Sequence, residues 1–163
     1  MKNPFNSITF NKLEKNFYAQ ILTSAMPYYI AVVGFDKVAG QILMAAVENM
    51  DRFNECKVNL HDLDKYLDVS ENTRKKSLNV LRYMNFIETK NSNRTGGETS
   101  FKVNVQFACK GSIEEKMKMP SALNKSFRSA ALVNGQICKD KFKKYKQFNN
   151  DMNQEGVDGL IPF

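Results

Sequence analysis

The chain has 163 residues, enough for one compact domain with appended elements and too few for two full-sized domains. A hydrophobic content of 42%, with 12 phenylalanines and 6 tyrosines, supplies a core that is in part aromatic. The formal charge of +7 and a pI near 9.3 favour an anionic partner, whether nucleic acid, an acidic membrane surface or an acidic protein.

Cys56, Cys109 and Cys138 are scattered, odd in number and never in CxxC spacing, and His61 is the only histidine. This argues against a disulfide-stapled secreted fold and against a Cys/His zinc site, leaving three free thiols. No basic-then-apolar start with a processing site is visible, and the most apolar segment, Ala25 to Gly34, is too short to cross a bilayer. A soluble, cytoplasmic protein without a membrane partner is expected. Enzyme chemistry is not expected: there is no GxxxxGK[ST] loop, no HExxH and no second histidine for a triad or metal site. Asp62 and Asp64 would point apart on a helix, and Glu114 and Glu115 have no visible convergent partner. No cofactor or metal is implied.

In chain order, MKNPFNSITFN reads as an arm with a short strand at Ser7 to Phe10. From Lys12 to Met26 the pattern is helical, with Leu13, Phe17 and Ile21 recurring at spacings of four. Pro27 is expected to end or bend that helix. The run YYIAVVGF reads as a buried strand or a compact connector, between which periodicity does not choose. Asp36 is placed to cap a largely buried helix, DKVAGQILMAAVENMDRF, striped by Val38, Ile42 and Ala45 or Ala46 and widened by Leu43, Val47 and Met50.

Val58 marks a short strand. Asn59 then caps a helix whose third residue is Asp62, an N-x-x-D variant of the capping box, with Leu60, Leu63, Tyr66 and Leu67 facing inward. Asp68-Val69 makes a turn, and Ser70 caps a second helix with Glu71 near its positive end. Arg74, Ser77, Leu78, Leu81 and Met84 share one side of that helix. Asn72, Lys75, Lys76, Asn79 and Arg82 spread over another. Phe86, Ile87 and Thr89 begin an extended segment, and Phe101, Val103, Val105 and Phe107 repeat with period two. The polar loop between these segments holds the only adjacent glycine pair, Gly96-Gly97.

After Gly111 the chain turns helical again, with a new start expected at Ser121 and Ala122, Leu123, Phe127, Ala130 and Ala131 facing the core. A last helix is expected over Ile137 to Phe148, where Lys139 to Lys146 carries five lysines against Asp140. The end, NNDMNQEGVDGLIPF, lacks a pattern and reads as a mobile tail. The organisation expected is an N-terminal arm and helix over 1–35, a central domain of helices and hairpin over 36–111, C-terminal helices packed on it over 112–148, and the tail over 149–163.

Helix, tight turn, helix, strand, basic loop and strand are the parts of a helix-turn-helix with a projecting hairpin. The segment from Leu67 to Ile87 resembles the winged helix-turn-helix pattern of microbial regulators and initiators. Val69-Ser70 matches the turn, Leu78 and Leu81 the core, and Phe86-Ile87 the strand start. Three positions depart: Asp68 and Asn85 stand where glycine is usual, and Arg74 where valine is common, so that its guanidinium would snorkel outward. Phe101 to Ser112, FKVNVQFACKGS, resembles the strand exit of plasmid replication initiators of the small firmicute type. The fold expected is mainly α with a small antiparallel β wing.

The resemblance implies double-stranded DNA as partner, origin binding and recruitment of host replication proteins. A plasmid or phage transcription regulator, or a winged-helix protein-interaction module, fits the same residues. A homodimer is expected, through the first helix or the helices after Gly111. A groove-inserted helix presents its N-terminal half, so Asn72, Lys75, Lys76 and Asn79 are the candidates for base edges. Thr73 would meet a phosphate or a thymine methyl, and Arg82 the backbone. In the wing, Lys90, Asn93, Arg94 and Thr95 would meet phosphates, or Arg94 would enter the minor groove. His61 reads as a surface residue. The Lys139 to Lys146 cluster is either a clamp on flanking DNA or a solvated helix face.

Overall fold

The computed structural model describes residues 4–5, 19–91 and 97–154. The strand expected at Ser7 to Phe10, and residues 12–18 of the first expected helix, lie outside them. The end of that helix is corrected. Gln20–Ile21 is a short strand, β1, followed by a single 3-10 turn at Thr23–Ala25. Pro27 opens a helix instead of closing one: α1 spans Met26–Phe35, and Pro27 sits in its first turn, where an amide hydrogen has no helical partner anyway. The apolar run YYIAVVGF is therefore helical. Its periodicity is blunt because it is apolar all round: Val32 is buried while Ile30 is 64% exposed.

Asp36 caps α2, Lys37–Asn49, by accepting from the Ala39 N–H at 3.1 Å. Ile42, Leu43, Ala46 and Val47 of α2 are buried. After Asn54 the chain enters β2, Glu55–Asn59, whose alternate residues Cys56 and Val58 face the core. Asn59 and Ser70 then cap α3, Leu60–Leu67, and α4, Glu71–Tyr83, accepting from the N–H groups of Asp62 and Thr73. Such caps contribute about 1 kcal/mol each. Asp68 adopts φ 53° and Asn85 φ 65°. The two positions where glycine is usual are thus two that need left-handed backbone, which aspartate and asparagine tolerate. Leu63 is buried, and Leu60 and Leu67 pack against the core, but Tyr66 stands exposed and not inward as its spacing predicts.

β3, Ile87–Asn91, and β4, Glu98–Val103, form the hairpin, and the sheet order is β2–β4–β3, all antiparallel. The register sets Cys56 opposite Phe101 and Ile87 opposite Val103. The period-two run was expected to continue to Phe107, but the strand ends at Val103. Asn104 is the reason: its Nδ2 donates to the carbonyls of Asn85 and Lys125, each at 2.7 Å, and its Oδ1 accepts from the Gln106 N–H at 2.9 Å. A turn forms there, and Val105 and Phe107 are buried all the same. β5, Ala108–Cys109, then pairs with β1.

α5, Ile113–Met117, follows a Ser112 cap. The helix expected from Ser121 does not form. Its backbone is taken by the Asn104 turn: the Leu123 carbonyl accepts from Val105 N–H at 2.9 Å, and Lys125 is held at both ends of its peptide by Asn104. Leu123 and Ala131 are buried as expected, whereas Ala130 is exposed. A 3-10 turn at Ser129–Ala131 leads to the hairpin of β6, Leu132–Val133, and β7, Gln136–Ile137. α6 runs Lys139–Gln154, starting later than expected and continuing into the segment read as a tail.

Aromatic rings join the layers. Phe86 meets Phe107 at 5.1 Å and Phe127 at 4.6 Å, and Tyr83 of α4 meets Phe142 and Tyr145 of α6 at 5.4 and 4.8 Å. Helix outweighs strand, and the strands make small antiparallel sheets, so the fold is mixed α/β. Among the described residues no helix is long and apolar enough to cross a membrane.

Candidate nucleic-acid interface

α4 has two chemically opposite faces. Arg74, Ser77, Leu78, Val80, Leu81 and Tyr83 are buried. On the other side Asn72, Lys75, Asn79 and Arg82, at spacings of three, four and three, form one stripe on the helix surface. Asn72 and Lys75 are exposed, and Asn79 and Arg82 half-buried. Lys76 lies at the edge of the stripe, its ammonium 5.8 Å from the centre of the Phe35 ring of α1. Thr73 is exposed, with its hydroxyl 3.0 Å from that of Ser70 at the cap.

The stripe is held by its neighbours. Arg82 donates to Thr89 of β3 at 2.7 Å and to the Asn79 carbonyl oxygen at 2.8 Å. Burial lowers its pKa from the ordinary value, yet an arginine stays charged. Because Asn79 Oδ1 already accepts one bond, Asn79 offers a partner its two amide hydrogens and a single lone pair. Lys75 pairs with Glu71 at 2.6 Å, both side chains largely exposed. The hydrogen bond from Lys75, and then its charge, hold the Glu71 carboxyl below its ordinary range.

Arg74 does not snorkel outward. It is buried, and its Nε and Nη2 donate to the two Asp64 oxygens at 2.6 and 3.2 Å, clipping α4 to α3. Ser77 donates to Asp36 Oδ2 at 2.9 Å. One carboxylate therefore caps α2 and grips α4, a link across 41 residues that no local pattern signals. The Asp64–Arg74 pair, ten residues apart, carried a faint signal: a cation on an otherwise apolar face needs a carboxylate.

Of the wing residues, Asn93, Arg94 and Thr95 lie outside the described residues. Lys90 is exposed, but strand alternation sets it on the opposite sheet face from Thr89, and so away from Arg82 and the α4 stripe. The loop end of the hairpin is anchored to α3 where β4 begins. Gly97 accepts from the Leu60 N–H at 2.9 Å, and at φ 70° it lies so near the exposed His61 that a Cβ there would stand 3.0 Å from the ring.

Lys110 and Lys116 are buried structural cations, a role that no local pattern signals. Lys110 donates to the carbonyls of Glu48 and Met50, at the negative end of α2, at 2.9 and 2.7 Å. Lys116 donates to the Arg52 carbonyl and to Asn54 Oδ1. Burial lowers the pKa of both. Lys110 and Gly111 of the FKVNVQFACKGS segment thus serve the fold here, with Gly111 at φ 90° turning the chain. No family model, curated protein or solved structure matches the chain.

Proposed function

We propose that the protein binds double-stranded DNA as a winged helix-turn-helix, with α4 as the recognition helix and the β3–β4 hairpin as the wing. The observation that carries this reading is the stripe of Asn72, Lys75, Asn79 and Arg82, exposed or half-exposed on a helix whose other face is buried and clipped to α3 and α2. Amide and cationic side chains along one face of a helix suit the donor and acceptor edges of the major groove. The loop that Gly97 ties to α3 would carry Asn93, Arg94 and Thr95 toward the phosphates. Support for a role as a plasmid-type replication initiator, as against a transcription regulator, comes from the resemblance at Phe101 to Ser112.

The test is duplex binding as a function of salt. Lys75→Ala should weaken binding by about 1–3 kcal/mol, relax the sequence preference at the base pair it meets, and lower the slope of log K against log salt by at most about 0.9. A variant with wild-type affinity and slope would remove α4 from the interface. Selection of bound duplexes from a random pool then separates iterated origin-like repeats from a palindromic operator.

A further inference from the structure

On α4, Arg82 bonds to two neutral oxygens and to no carboxylate among the described residues. Its Nη1 donates to Thr89 Oγ1 of β3 at 2.7 Å and its Nη2 to Asn79 Oδ1 at 2.8 Å, so one guanidinium ties the strand to the helix surface. A guanidinium has only hydrogens to offer. The Asn79 amide therefore has to turn its oxygen toward Arg82, because the flipped amide would set N–H against N–H. Asn79 Nδ2 makes no hydrogen bond among the described residues and is not sealed from solvent. It lies on the polar stripe, one turn after Lys75.

The charge beside Oδ1 changes what the amide can read. Accepting from a cation polarises the whole amide, so the remaining lone pair accepts weakly and the amino hydrogens donate strongly. A second donor, such as the exocyclic amino group of adenine, would also have to approach a positive charge. In the major groove adenine presents one acceptor and that amino group, whereas guanine presents two acceptors, N7 and O6. We infer, resting on the reading of α4 as the recognition helix, that Asn79 acts as a donor only and selects guanine over adenine, with Arg82 and Thr89 as positioning residues. An unrestrained asparagine would favour adenine, which it meets with one donor and one acceptor.

The test measures affinity for duplexes that the wild-type protein selects from a random pool, each then varied one base pair at a time. The pair whose preference Asn79→Ala erases is the one that Asn79 meets. There the wild type should bind guanine about tenfold more tightly than adenine. Arg82→Met keeps the aliphatic stem and removes the donors. Its affinity should fall for every sequence, since a charge is lost, but the guanine preference at that one pair should vanish or pass to adenine while the ratios at other pairs hold. Thr89→Val keeps the shape of β3 and should lower the same ratio at least about threefold, which covers an Arg82 variant that does not fold. A wild-type preference for adenine at that pair, or a ratio that neither variant changes, would overturn the inference and leave duplex binding standing. Duplex binding in which Asn79→Ala alters no base ratio would do the same. A wild-type protein that binds no duplex removes the reading of α4, and this inference with it.

Discussion

Cys56 shows how one buried group ties stability to pH. Burial, and after it the charge of Asp51, push its thiol from 9.0 up to about 12. The folded state keeps a proton that the unfolded chain releases. The stabilisation is therefore complete below pH 9 and is lost as pH rises from 9 toward about 12. Lys110 and Lys116 act in the opposite sense: the cost of burying their charge is relieved as pH climbs through their lowered values. Comparison with Cys56→Ala isolates the thiol. The stability advantage of wild type, read from urea unfolding, should be constant up to pH 8 and shrink above pH 9 by at most about 1.4 kcal/mol per pH unit. An advantage that does not change with pH would mean the thiol titrates normally. Asn104 is the neutral counterpart: its side chain bonds locally to the Gln106 N–H and across to Asn85 and Lys125, so its polarity defines a turn at little cost.

At the level of elements, the relation between α3 and α4 depends on a charge pair in a nearly dry setting, with Arg74 and Asp64 side chains 5% and 14% exposed. Removing one partner strands the other. Arg74→Met should cost on the order of 3 kcal/mol in urea unfolding, and adding Asp64→Leu should recover most of it. A single variant as stable as wild type would show that the pair contributes no orientation. If the duplex reading holds, Arg74→Met also weakens DNA binding although Arg74 never faces solvent, since α4 loses its angle to α3. Capped helices, the turn between them and the β3–β4 pairing were legible in the sequence, because each is encoded within a few neighbouring residues. The helix expected from Ser121 was misread for a related reason: its apolar spacing is helical, but Asn104 and Val105, about twenty positions upstream, compete for its backbone.

Across the whole molecule, α6 is not an appendage. Phe142 is buried, meeting Phe35 of α1 at 5.5 Å edge-on and Tyr83 of α4 at 5.4 Å, so one ring links three helices. Phe142→Ala should cost about 3–5 kcal/mol. If residues 36–111 and 112–148 form one cooperative unit, thermal unfolding of that variant stays a single transition at a lower midpoint. Two separated transitions by calorimetry would show that the C-terminal part melts by itself. The same packing brings Tyr145 beside Tyr83, in a pocket that Arg128 and Lys144 also line.

Local chemistry was enough to place α2, α3 and α4 with their Asp36, Asn59 and Ser70 caps, the left-handed turns at Asp68 and Asn85, and the polar stripe on α4. Caps and turns act over three or four residues, and amphipathic spacing repeats within one helix. Long-range packing alone settled that Arg74 is buried, that Lys90 turns away from α4, that Lys110 closes the end of α2, and that Tyr83, Arg128 and Lys144 share a pocket. Those outcomes depend on which distant segments compete for the same hydrogen bonds and the same dry volume, and spacing along a chain carries no record of that competition.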